Sequence, residues 1–122
     1  MQSTLTRPWR TLLAPYQRPS HRRSLLEILL TLAPLALLWA ASWGAATAGL
    51  WPVSLALSLP AAFFLVRLFL IQHDCGHQSF FRHPALNDWV GRALGVLTLT
   101  PYDCWRKEHA IHHATAGNLD RR

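Results

Sequence analysis

From Ile28 to Val66 the sequence carries no Asp, Glu, Lys, Arg or His, a run of 39 residues without an ionisable side chain. A helix needs about 20 apolar residues to cross a bilayer core of roughly 30 Å, so this run holds two crossings. Within SWGAATAGLWP, Gly44 and Gly49 bracket the natural break. The pattern predicts a first span over residues 25–43 and a second over residues 50–71, with Trp43 and Trp51 beside the turn as interfacial anchors. Pro34 and Pro60 fall inside these spans, where membrane helices accept proline more readily than soluble ones do. The alternative is a soluble hairpin buried in a large protein. A chain of 122 residues, 51% hydrophobic and 15% charged, offers too little polar sequence to cover two such helices.

The basic residues give an orientation. Residues 1–27 carry Arg7, Arg10, Arg18, Arg22 and Arg23 against a single acid, Glu27, and residues 67–122 carry seven basic and five acidic side chains. The turn between the spans has none, so the positive-inside rule puts both termini in the cytoplasm, in a bacterial inner membrane. His21-Arg22-Arg23 and Ala46-Thr47-Ala48 have the outline of an export signal and its cleavage site. Two arginines holding a helix end among headgroups explain them better, because a second long apolar span follows at once. Cys75 and Cys104 form no CxxC pair and fall on the side where thiols stay reduced, so no disulfide is expected.

The expected fold class is therefore all-α: an integral membrane helical hairpin plus cytoplasmic or interfacial helices. It divides into a cytoplasmic Arg-rich arm over 1–24, a two-span hairpin over 25–71, and a cytoplasmic region over 72–122. Pro8, Pro15 and Pro19 break up any long helix in the arm. In the last region, Leu86, Trp89, Val90, Ala93, Leu94 and Leu97 recur at helical spacing. That helix is too short, and too charged at Asp88 and Arg92, to span; it lies along the membrane surface or packs on the site. Pro101 ends it, and Asp103 is the expected N-cap of a final helix, WRKEHAIHHA.

Five of the seven histidines fall in two tight groups: His73 and His77 in HDCGH, then His109, His112 and His113 in HAIHH. Spacings of three and four residues put imidazoles on one helix face. Five such rings on two facing surfaces can surround one or two transition-metal ions, and imidazole suits zinc, copper, iron and nickel. A single HxxxH is a weak signal. HxxxH followed some thirty residues later by HxxHH, directly after a membrane hairpin, is much stronger. Asp74, Asp103, Glu108 and Asp120 are candidates to accept the second N–H of a ligating imidazole. His83 precedes a proline outside both groups and His21 precedes the first span, so neither is counted as a ligand.

HDCGH and HAIHH resemble the first two histidine boxes of the integral-membrane fatty acid desaturases. QHDCGHQSFF, LNDWVGRALGVLTLTPYDCW and HHATAGNLD resemble the bacterial acyl-lipid members of the delta-12 or omega-6 type. The resemblance is close over residues 60–122 and architectural over the hairpin. It implies that His73, His77, His109, His112 and His113 are ligands of a di-iron centre. It also implies that a double bond is introduced into an acyl chain of an acyl-lipid or acyl-carrier substrate. Dioxygen is then the oxidant, and electrons come from a ferredoxin or a small haem protein; no nucleic acid is involved.

The family has a third box, another HxxHH after a second hairpin, whereas this sequence stops at Arg122. The expectation is an N-terminal portion, a fragment or truncated product, inactive alone and completed by residues it lacks. Rival readings are a membrane di-iron hydroxylase or ketolase built on similar boxes, and a non-catalytic metal-binding hairpin. An intramembrane zinc peptidase is disfavoured: HDCGH lacks the Glu of HExxH, Gly76 suits such a helix poorly, and HAIHH would have no role.

Overall fold

The computed structural model describes residues 11–14, 18–116 and 118. Between residues 21 and 115 lie four helices: α1 His21–Thr47, α2 Trp51–Gly76, α3 Pro84–Leu97 and α4 Tyr102–Thr115. Most of the Arg-rich arm lies outside the described residues.

At 1.5 Å per residue, α1 and α2, of 27 and 26 residues, are each about 40 Å long. Both are long and apolar enough to cross a membrane, and only 17% of each apolar window is buried inside the protein. A core helix of a soluble protein would bury most of that surface. Here the outward faces carry Leu37, Leu55, Leu59 and Phe63, all highly exposed. Both helices run unbroken through Pro34 and Pro60, as expected of membrane segments. Each extends past its expected end, α1 to Thr47 and α2 to Gly76. The break is shorter than expected: Gly44 stays helical, and the turn is Ala48-Gly49-Leu50, with Gly49 at φ +77°. Trp43 and Trp51 stand exposed on either side of it.

The hairpin is held by an apolar core made of Leu35 from α1, Ala61, Leu68 and Ile71 from α2 and Leu94 from α3. Polar clasps mark its two ends. Near the turn, the Ser42 and Ser54 hydroxyls are 2.9 Å apart. Near the other end, Arg67 of α2 pairs with Glu27 and donates from Nε to Thr31 Oγ1 at 2.9 Å. An ion pair there offsets two charges at the border of the apolar stretches of both helices.

α3 starts at Pro84, at the first helical position where its missing N–H is no loss. The fully buried Asn87 clamps the preceding link. Its Oδ1 accepts the Phe81 N–H and its Nδ2 donates to the Phe81 carbonyl, each at 2.8 Å. The link is also tied to α1, where Ser24 Oγ donates to the Phe80 carbonyl at 2.6 Å. α4 corrects one expectation. Its N-cap is Pro101, whose carbonyl accepts the Trp105 N–H, and Asp103 lies inside the first turn. There Asp103 accepts from Arg92 Nε and Nη2 at 2.9 and 3.0 Å.

Candidate metal centre

The first histidine pair closes α2. His73 is in its last turn, and His77 is the residue at which the helix stops. The second group rides on α4, which returns towards the same end of the hairpin. The donor nitrogens of His73, His77, His109 and His113 all lie within 4.8 Å of one another. His77 Nε2 is 3.1 Å from His109 Nε2, and His109 Nε2 is 3.0 Å from His113 Nε2. Ligands about 2.1 Å from one ion stand about 3.0–3.4 Å apart, so these spacings fit imidazoles sharing a transition metal.

His112 is the expected ligand that does not join this group. It precedes His113 and so points about 100° around the helix axis. Its ring centroid is 6.3 Å from that of His109 and 6.0 Å from that of His113. It borders the cluster from outside. His83 and His21 are well removed, and they stack on each other at 5.7 Å.

Burial and mutual repulsion keep the cluster receptive to a cation. His77 and His109 are held below the ordinary imidazole value of 6.5. Desolvation is the first cause, and neighbouring histidines, His73 foremost, are the second. Neutral imidazole is the form that ligates, so the shift favours metal binding.

Of the four carboxylates expected to orient imidazoles, Asp74 reaches one of the clustered histidines, with Oδ1 a long 3.4 Å from His73 Nδ1. Asp103 is committed to Arg92. Glu108 is exposed and bonds none of the described histidines. Asp120 lies outside the described residues.

Sequence reasoning missed two supports. Trp105 stacks on His109 at 4.7 Å and 15°, meets His73 at 5.7 Å and Phe69 at 5.5 Å, and so wedges α4 against α2. Its place one turn before His109 was the available signal. Asp88, read only as a charge that keeps α3 out of the membrane, accepts hydrogen bonds from Gln78, Tyr102 and Arg106. Gln78, Arg106, His77, His109 and His113 together border a cavity of about 530 Å³ beside the cluster.

Residues 48–122 match the profile of the fatty acid desaturase family. The chain belongs to that family. It is 43% identical over 109 residues to a fatty acid desaturase of Bacillus subtilis, a match covering 89% of this chain and 31% of the relative. An sn-1 acyl-lipid omega-3 desaturase (ferredoxin) of Synechocystis is 47% identical over 53 residues, 43% of this chain and 15% of that protein. An sn-1 oleoyl-lipid 12-desaturase of Arthrospira platensis is 41% identical over 56 residues, 46% of this chain and 16% of that one. The chain thus spans about a third or less of the length of these curated relatives. No solved structure matches it. The family match begins at residue 48, earlier than the close resemblance expected from residue 60, because it takes in all of α2.

Proposed function

We propose that this desaturase-family chain supplies the first two histidine boxes of a membrane acyl-lipid desaturase. The observation that carries the proposal is the meeting of four imidazoles from α2 and α4 at one end of an apolar hairpin. In this reading residues 25–71 cross the bilayer, residues 1–24 form the arm, and residues 72–122 form the histidine-box region, with both ends on the cytoplasmic face.

His73, His77, His109 and His113 hold one ion, and His112 faces outward to help hold a second. Five imidazoles do not saturate two ions, so the centre takes further donors from outside residues 1–122. Iron held by these residues would supply, with dioxygen, the oxidising power to remove two hydrogens from an unactivated methylene pair, which no side chain possesses. The protein's own part is positional. Trp105 fixes the His109 ring, and the apolar α2 surface leads from the lipid tails to the cluster, so an acyl chain reaches it from the bilayer. The opposite, exposed side of α4 stays open to an external electron donor of ferredoxin type or a small haem protein.

The test is a chimera in which this chain continues into the part of the Bacillus subtilis relative beyond its matched third, expressed in a bacterial membrane. Fatty acids are then analysed by gas chromatography and mass spectrometry. A new double bond that disappears with His73→Ala or His109→Ala supports the proposal. A hydroxylated or keto product, or tightly bound zinc with peptidase activity, overturns it.

A further inference from the structure

The geometry points to Asp88 as the positioning residue that sets how the two histidine pairs meet, an inference that rests on the metal-centre reading above. α4 has little apolar anchorage: Tyr102 is its one buried residue among those described. Trp105 wedges α4 against α2, but one ring does not by itself fix the rotation of a 14-residue helix to the tolerance of a metal site, about 0.2 Å in ligand distance.

A polar clamp does. Asp88 Oδ1 accepts from Arg106 Nη1 at 2.8 Å and from the Tyr102 hydroxyl at 3.2 Å. Tyr102 and Arg106 are one turn apart on α4 and share the face that carries His109 and His113. Two bonds to residues four apart fix both the height and the rotation of that face.

The same oxygen accepts from Gln78 Nε2 at 2.7 Å. Gln78 follows His77 directly and holds φ +58°, a left-handed conformation rare outside glycine. Backbone bonds from the Gln78 N–H to the Cys75 carbonyl and from the Ser79 N–H to the Asp74 carbonyl form that turn, and the bond to Asp88 adds a side-chain tether to it. One carboxylate oxygen therefore grips the residue next to His77 and the residue one turn before His109–His113. Asp88 stands outside the ligand group itself. It also neutralises the Arg106 guanidinium, which borders the same cavity as His77, His109 and His113 and would otherwise repel an incoming cation.

The experiment uses the full chain in lipid nanodiscs with Co²⁺ as a spectroscopic probe. Asp88→Ala is expected to weaken Co²⁺ binding about 10- to 100-fold and to shift the visible spectrum of the cobalt-saturated protein. A purely structural carboxylate would lower the melting temperature and leave the saturated spectrum as in the wild type; that result overturns the inference. A second measurement needs no metal. Spin labels at Val66→Cys and Ile111→Cys, in a Cys104→Ser background, report the α2–α4 distance, which is expected to shift or broaden with Asp88→Ala. Should the unaltered chain bind no Co²⁺, the metal-centre reading fails by itself. The label distance then decides Asp88, and an unchanged distribution overturns its positioning role.

Discussion

Gly91→Ala should loosen the histidine cluster without touching a single one of its imidazoles. Gly91 lies in α3 beneath the Tyr102 ring. A methyl group there would stand 2.2 Å from Tyr102 Cε2, 2.6 Å from Cζ and 2.7 Å from Cδ2. Carbon atoms rest about 3.5–4.0 Å apart, so the ring or its helix must retreat by about 1.3 Å. The ring has little freedom. Tyr102 is 3% exposed, its hydroxyl is bonded to Asp88, and its Cβ lies close over Gly95. The first turn of α4 moves instead, and the helix passes that shift on to His109, two turns further along. A displacement of this size exceeds the tolerance of a metal site, about 0.2 Å, several-fold.

The stability balance has two terms of opposite sign. Replacing a mid-helix glycine with alanine favours the helix by about 0.5–1 kcal/mol. Overpacking costs about 1–3 kcal/mol, and three atoms closer than 3 Å place it at the upper end. The net is a loss of about 1–2 kcal/mol. Gly44→Ala is the control: also helical, in the last turn of α1, but with nothing within 4 Å of the added methyl, so the propensity term alone remains and the melting temperature holds or rises. Thermal melts followed by circular dichroism, with Co²⁺ titration, read both effects. If Gly91→Ala melts no lower than Gly44→Ala and binds Co²⁺ as the wild type does, the ring has moved aside freely and the rigid α3–α4 junction is refuted.

Three further outcomes are open to measurement. His109→Ala should abolish tight binding of the first ion, whereas His112→Ala should leave it unchanged, since the His112 ring stands outside the converging group; isothermal titration distinguishes them. His77 and His109 have values lowered from 6.5, so both rings stay neutral and able to ligate below 6.5 and are protonated only as pH falls through the lowered values. Metal binding followed spectroscopically should therefore persist to lower pH than binding by free imidazole. Breaking the Arg67–Glu27 pair with Arg67→Leu should lower the melting temperature in detergent by more than Arg67→Leu combined with Glu27→Leu. An ion left alone among apolar neighbours costs more than removing both, while a pair more than a third exposed contributes only about 1 kcal/mol itself.

The hairpin was legible because its signal is bulk chemistry: 39 residues without a charge admit few alternatives. The four converging histidines were legible because their spacing writes a helix face directly. The turn was less so, since Gly44 and Gly49 look alike in sequence and only the backbone at Gly49 takes a positive φ. Asp103 illustrates a deeper limit. An acid just after a proline reads as a cap by local rules, yet Arg92, eleven residues earlier, reaches it across the α3–α4 junction and claims it. Asp88 is the same effect in reverse. Its role is set by three donors at 10, 14 and 18 residues' separation, none at a spacing that any single helix or turn would mark. Ligands announce themselves locally because a metal requires several identical side chains close together. The residue that aims them has no such requirement, since one carboxylate serves wherever the chain brings it, and only the folded junction reveals which one that is.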